Sequence, residues 1–84
     1  MPFVSISLED YVTQSVASNP GAVRSEVAAR VQRALADFKA GARCHCGARI
    51  WVIGSAEAGR TCFTCLTGEA IPNDDYEIAD ACLR

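Results

Sequence analysis

The sequence CHCGARIWVIGSAEAGRTCFTC, residues 44–65, decides how the chain is organised, because it holds four of the five cysteines in two close pairs. One residue separates Cys44 from Cys46, and two residues separate Cys62 from Cys65. A short apolar run, residues 50–53, follows the first pair. Five cysteines cannot all pair within one chain, so the pattern favours a metal site or reactive thiols over a disulfide framework.

The composition is that of a small globular protein. The 84 residues are 50% apolar and 21% charged, and the formal net charge of −2 does not favour a strongly basic nucleic-acid binder. The N-terminus lacks the basic region and the long apolar segment of a signal peptide, and no apolar run is long enough to span a bilayer. We therefore expect a cytoplasmic protein without a membrane partner, whose thiols stay reduced.

Residues 1–41 have the pattern of a short strand followed by a helical hairpin. Alternation in FVSIS predicts a strand over residues 3–7. Ser7 and Asp10 have the spacing of a capping box, so a first helix should begin at Leu8 and end at SNPG. A second helix should begin at Pro20 or Ser25 and end at Gly41. Apolar residues at helical spacing define the inner faces of the two helices: Leu8, Tyr11, Val12 and Val16, then Val23, Val27, Val31, Ala34, Leu35 and Phe38.

Residues 42–84 have a different pattern, which predicts a small β unit with an acidic tail. RIWVI is rich in β-forming residues and predicts a strand, while GSAEAG predicts a loop. TCFTCL predicts a second extended segment, and DYEIADACL predicts a short terminal helix. Trp51 should pack this unit against the helices, because so short a segment has little core of its own. The predicted fold class is α+β, with residues 1–41 and 42–84 in one compact domain.

The two cysteine pairs can supply the four ligands of a structural zinc site. Structural Zn²⁺ is almost always tetrahedral, and cysteine thiolates are common ligands. The predicted ligands are Cys44, Cys46, Cys62 and Cys65. Gly47 permits a left-handed turn just after the first pair. Because four thiolates leave no open position on the metal, we predict a structural site and a protein that is not an enzyme.

The cysteine-bearing segment resembles the zinc-ribbon group, in which two cysteine-bearing turns clamp one zinc ion. The resemblance covers residues 44–68 and is carried by CFTC, the following leucine and TGE. The first turn, CHCG, has one residue between its cysteines where ribbons usually have two, which leaves room for His45 or Cys82 to replace a ligand. We expect neither to do so, because His45 should point away when both its neighbours bind and Cys82 is distant in sequence.

Two other interpretations of the cysteines stay open. They could be small core residues, since free cysteine is often buried. Alternatively, CFTC could be the catalytic dithiol of a thiol oxidoreductase. A dithiol of this spacing usually lies at a helix start in a thioredoxin-like unit, whereas β-favouring residues flank this one.

Residues 3–39 resemble the ribbon–helix–helix group of dimeric repressors and antitoxins. FVSISLEDYVTQSVA and RSEVAARVQRAL carry the resemblance. It implies a homodimer that reads DNA with outward strand residues, so that Ser5 and Ser7 would face DNA and the helix start at Arg24 and Ser25 would hold a phosphate. The other interpretation is a plain helical hairpin packed on the metal unit, and we favour it.

The function predicted from the sequence is that of a small zinc-stabilised binding or adaptor protein with a protein partner. A dimeric DNA-binding regulator is the alternative, in which nucleic acid is the partner. A thiol oxidoreductase that uses the CFTC pair is a weaker alternative.

Overall fold

The computed structural model describes residues 3–82, which form five helices and one two-stranded sheet. The elements in chain order are β1 (Val4–Ile6), α1 (Leu8–Ser18), α2 (Arg24–Lys39), α3 (Val52–Ala58), α4 (Phe63–Thr67), β2 (Tyr76–Ile78) and α5 (Ala79–Cys82). β1 and β2 pair in parallel, with Ile6 opposite Ile78. This mixture of helices and strands confirms the α+β class.

The helical hairpin forms where the sequence predicts it. Ser7 caps α1, because the Asp10 backbone N–H donates to the Ser7 side-chain oxygen at 3.0 Å. α1 ends at Ser18, before the proline of SNPG. α2 begins at Arg24 behind the N-cap residue Val23, whose side chain makes no capping bond.

One hydrophobic core joins the two parts of the chain. Five residues of the predicted α2 stripe are buried, whereas the first, Val23, is 50% exposed. α1 contributes buried Val12 to the same core. The rest of the core comes from β1, β2, α5 and the segment around the start of α3. These residues are Ile6, Ile50, Val52, Ile53, Ile78 and Ala81. Packing between α2 and α3 is therefore the main link between the hairpin and the cysteine-bearing segment.

The predicted β unit is wrong, because the cysteine-bearing half is mainly helical. RIWVI is not a strand: Trp51 is the N-cap of α3, and the helix continues through the predicted loop to Ala58. TCFTCL is not extended either, since α4 begins at Phe63. β-propensity depends strongly on tertiary context. Here the buried carboxylate of Glu77 accepts hydrogen bonds from the first N–H groups of α3 and stabilises the helix start.

The terminal helix predicted from DYEIADACL is correct only at its end. Tyr76–Ile78 form β2, because β1 offers them a strand to pair with, and the helix is limited to Ala79–Cys82. Leu83, the last residue of that prediction, lies outside the described residues. The β structure of the described chain is thus the β1–β2 pair and one antiparallel bridge between Arg43 and Arg49.

The close packing around Gly54 predicts that a side chain at this position destabilises the fold. A Cβ atom at this position would lie 2.5 Å from a Trp51 ring carbon and 2.5 Å from a Leu66 methyl group. Gly54→Ala should therefore lower the free energy of unfolding by up to about 2 kcal/mol, because overpacking costs about 1–3 kcal/mol and the gain in helix propensity offsets about 1 kcal/mol. Urea denaturation followed by Trp51 fluorescence measures this. Gly21→Ala is the control, since nothing lies within 4 Å of that Cβ position; equal or greater stability of Gly54→Ala would contradict the packing.

Candidate metal centre

The structure brings the four predicted cysteine ligands together. Their Sγ atoms all lie within 4.8 Å of one another, and the Sγ atoms of Cys46 and Cys62 are 3.6 Å apart. A regular tetrahedron with Zn–S bonds of about 2.3 Å has sulfur–sulfur edges of about 3.8 Å. All four residues are free thiols. The arrangement therefore has the dimensions of a tetrahedral metal site.

The first cysteine pair lies on a tight turn. The Gly47 N–H donates to the Cys44 carbonyl oxygen at 2.8 Å, and Gly47 has the expected left-handed conformation, with φ of 93°. The Cys44 N–H in turn donates to the Ala48 carbonyl oxygen at 2.9 Å. The flanking bridge between Arg43 and Arg49 closes the base of the turn. One intervening residue is thus sufficient to direct both sulfur atoms to one centre.

The second cysteine pair lies at the start of α4. Cys62 is the N-cap residue, and its Sγ accepts the Cys65 backbone N–H at 3.4 Å. Residues three apart lie on one face of a helix, so both sulfur atoms face the first turn. α4 ends at Thr67, and its C-cap residue Gly68 is left-handed with φ of 83°.

Two thiols of the cluster, those of Cys44 and Cys65, have opposite pKa shifts. The backbone N–H groups of Cys46 and Cys62 stabilise the Cys44 thiolate and lower its pKa to about 5. Side-chain hydrogen bonds raise the pKa of Cys65 to about 12; the largest contribution comes from Cys44, and smaller ones come from Cys62 and Cys46. The Cys44 thiolate therefore forms readily, whereas loss of the Cys65 proton calls for a positive charge nearby. A divalent cation that displaces the protons supplies that charge.

His45 and Cys82 occupy different positions relative to the cluster. The prediction that His45 points away is wrong: its Nδ1 lies 3.6 Å from the Cys44 sulfur and its Nε2 lies 4.0 Å from the Cys65 sulfur. The ring lies against two sulfur atoms without belonging to the group of four. The Cys82 thiol instead donates to the Glu77 carbonyl oxygen at 3.8 Å.

The helix start at CFTC removes one argument against the dithiol interpretation. Extended structure around Cys62 and Cys65 was one reason to disfavour a redox pair, and α4 shows that reason to be wrong. The other reason, a chain too short for a thioredoxin-like fold, is unaffected. The distinction now depends on the first turn, because Cys46 places a third sulfur 3.6 Å from Cys62. A dithiol site needs only the CFTC pair, whereas a tetrahedral metal needs all four sulfurs.

The residues implied by the ribbon–helix–helix resemblance have identifiable positions. Ser5 is exposed on β1, and Ser25 is exposed at the start of α2. Ser7 is the cap of α1, and the Arg24 guanidinium donates to the Thr13 hydroxyl at 2.9 Å. β1 pairs with β2 of the same chain. DNA contacts and a homodimer remain predictions from the resemblance.

Glu77 is the residue that the sequence analysis missed. Its side chain is 4% exposed, and its carboxylate accepts N–H bonds from Val52 at 2.9 Å, Ile53 at 3.3 Å and Ile78 at 2.9 Å. Burial raises the pKa of Glu77, and the three N–H bonds oppose that shift. The carboxylate therefore fixes β2 to the start of α3, the helix that connects the two cysteine pairs. The only sequence signal was its position between the β-forming residues Tyr76 and Ile78.

An aromatic cluster connects the second cysteine turn with the N-terminus. The Trp51 ring stacks on Phe3 at a centroid distance of 6.0 Å and meets the edge of Phe63 at 5.0 Å. The Trp51 indole N–H donates to the Tyr76 carbonyl oxygen at 2.8 Å. Because Phe63 follows Cys62 directly, movement of the second turn changes the surroundings of Trp51.

Between residues 3 and 82, no helix has both the length and the apolar character needed to cross a membrane. Comparison with family models, with curated proteins and with solved structures gives no match. The interpretation of the site therefore depends on its own geometry, and the cysteine cluster is consistent with a metal-binding module.

Proposed function

We propose that the chain is a small binding or adaptor protein whose fold is held by one structural Zn²⁺. The ligands are Cys44, Cys46, Cys62 and Cys65. The observation that supports this most directly is the convergence of four free thiols within 4.8 Å, on two turns far apart in sequence. Four thiolates complete a tetrahedral coordination shell, so the metal has no open position for a substrate, and the protein is not an enzyme.

The donor set favours zinc among the divalent metals. Tetrahedral four-sulfur sites suit zinc or iron, and zinc has no redox chemistry that a structural site must control. His45 supports the thiolates from outside the coordination shell, because its ring lies within 4.0 Å of the sulfur atoms of Cys44 and Cys65. A ring N–H beside a thiolate offsets part of the negative charge that four sulfurs bring to one metal ion.

A protein partner is the most suitable ligand for such a module. Val4 and Tyr76 lie opposite each other in the sheet, and each is more than 40% exposed. Ile71, in the loop before β2, is 68% exposed. Large apolar side chains stabilise a protein interface when a partner buries them, and these three exposed side chains are available for such burial.

A thiol oxidoreductase is the second candidate, supported by the helix start at CFTC. The Cys65 N–H donates to the Cys62 sulfur there, so the pair lies at a helix start, where redox dithiols are usually found. Turnover of a disulfide substrate by the metal-free protein, lost in Cys62→Ser and kept in Cys46→Ser, would establish this candidate over structural zinc.

The proposal is tested by the metal content of protein purified without added metal. Native mass spectrometry, which also reports the oligomeric state, should show one zinc per chain. We expect Cys46→Ala to contain at least tenfold less zinc per chain than the native protein, while Cys82→Ala contains as much as the native protein. His45→Ala should retain stoichiometric zinc and bind it about tenfold more weakly, because the ring acts outside the coordination shell. Zinc loss in Cys82→Ala together with zinc retention in Cys46→Ala would require a different ligand set.

A further inference from the structure

An open cavity of about 310 Å³ lies beside the metal centre. Its walls are mainly aromatic and aliphatic, with side chains from the residue before β1, from α2, from the segment before α3 and from α4: Phe3, Phe38, Ile50, Trp51 and Phe63. Small-molecule sites have volumes of about 300–1,000 Å³, apolar walls and few polar groups. The cavity therefore has the size and lining of a site for one small apolar ligand.

Arg49 supplies a cationic group in the wall of this cavity. Its guanidinium lies over the Phe38 ring, with Cζ 4.5 Å from the ring centroid. None of the ion pairs among residues 3–82 includes Arg49. Stacking on an aromatic ring holds the guanidinium plane and leaves its N–H edge available to a carboxylate.

Glu77 contributes the carboxylate in the lining, and it does not compensate Arg49. One Glu77 oxygen accepts the Val52 N–H, and the other accepts the N–H groups of Ile53 and Ile78. Both oxygens are therefore used within the protein. Arg49 is left as the charged group of the cavity that can bind an external partner.

We propose that this cavity binds a small carboxylic acid that carries one aromatic or branched apolar group. The apolar group lies among Phe38, Trp51 and Phe63, and the carboxylate binds the Arg49 guanidinium. At the packing density of protein interiors, a ligand of about twelve non-hydrogen atoms fills a cavity of this size. Cys62, one of the four clustered cysteines, also lines the cavity, so the site adjoins the sulfur cluster.

Trp51 is the only tryptophan of the chain and lines the cavity, so its fluorescence reports binding directly. The full chain, with its zinc content measured, is titrated with 4-phenylbutyrate and with 4-phenylbutanol, which lacks the charge. We expect saturable binding of the acid with a Kd of about 10 µM to 1 mM, and at least tenfold weaker binding of the alcohol.

Three variants separate the contributions of charge and shape. Arg49→Gln should weaken the acid about tenfold and leave the alcohol unchanged. Arg43→Gln is the matched control, because Arg43 lies opposite Arg49 in the bridge but does not line the cavity. Ala70→Phe fills the cavity mouth from an exposed position and should abolish binding of both compounds without lowering the melting temperature by more than a few degrees.

The proposal fails if acid and alcohol bind equally or if Arg43→Gln and Arg49→Gln weaken the acid to the same degree. It also fails if neither Trp51 fluorescence nor the amide chemical shifts of Ile50 and Thr64 change up to about 10 mM ligand, far above the expected Kd. A peptide with a C-terminal phenylalanine that binds at least tenfold more tightly than 4-phenylbutyrate would replace the small acid with a polypeptide C-terminus. Acid binding by a zinc-free preparation would contradict the zinc proposal while supporting this one.

Discussion

Removal of zinc is expected to unfold the cysteine-bearing part of the chain while part of the α1–α2 helix signal remains. α3 has seven residues and α4 has five, so neither is stable as an isolated helix. Structural zinc contributes an apparent free energy of about 10–16 kcal/mol, compared with a total stability of about 5–15 kcal/mol for a typical domain. The metal-free chain should therefore lack a fixed C-terminal structure at 25 °C.

Trp51 makes this loss measurable at one position. Its ring is held between Phe3 and Phe63, and Phe63 follows the proposed ligand Cys62. During titration with a chelator, the near-ultraviolet circular dichroism of Trp51 should vanish. The far-ultraviolet signal should fall only in part, because α1 and α2 pack on each other through Val12, Val27 and Val31.

The matched control for this experiment is Cys82→Ala, which should bind zinc and respond to chelator as the native chain does. A contrary result would be a metal-free protein in which Trp51 keeps its fixed environment and the melting temperature does not move. In that case the cysteines are not structural ligands, and the oxidoreductase interpretation of CFTC takes first place.

Local sequence signals were sufficient for the helical hairpin and for the cysteine cluster. The cap at Ser7 and the α2 stripe depend on residues three or four positions apart, and such patterns are visible in a single sequence. The cysteine quartet is equally visible, because thiols in two close pairs are rare without a metal or redox role. The helix signals lie within one turn of helix, and each cysteine pair lies within one short turn of chain.

The errors concern segments whose structure depends on distant residues. RIWVI has the composition of a strand, yet α3 forms because a carboxylate 25 residues from Val52 accepts its N–H groups. β2 in turn requires β1, which lies more than 70 residues earlier in the chain. Neither partner can be identified from local propensity, which is why the β unit was predicted where helices form.

Glu77→Ala is expected to be among the most destabilising substitutions in the chain. It removes the acceptor of three backbone N–H groups at a site where Glu77 is 4% exposed. Each buried donor left without a partner costs about 1–3 kcal/mol, so with three donors the free energy of unfolding should fall by at least about 3 kcal/mol. For a domain of this size, each kcal/mol lowers the melting temperature by about 4–8 °C.

Glu69→Ala is the matched control, because Glu69 is an exposed glutamate in the loop that precedes β2 in the chain. Its substitution should change stability by less than about 0.5 kcal/mol. Urea denaturation of both variants at pH 7, with zinc content measured beforehand, separates loss of the cap from loss of metal. Equal stability of Glu77→Ala and Glu69→Ala would show that solvent, not Glu77, is the hydrogen-bond acceptor for the N–H groups at the start of α3.

Glu77 also gives a pH dependence of defined sign. Burial raises its folded pKa above the ordinary value of 4.5, so the folded chain holds this proton more tightly than the unfolded chain. The associated stability is present below pH 4.5 and is lost as the pH rises through the folded pKa. Glu77→Gln does not titrate, so its stability relative to the native chain should improve as the pH rises through that window. Acid release of zinc affects both proteins alike, and the difference between their urea midpoints isolates the carboxyl group. A difference that is constant with pH would mean that the folded and unfolded states hold the Glu77 proton equally well, and that burial does not govern its charge.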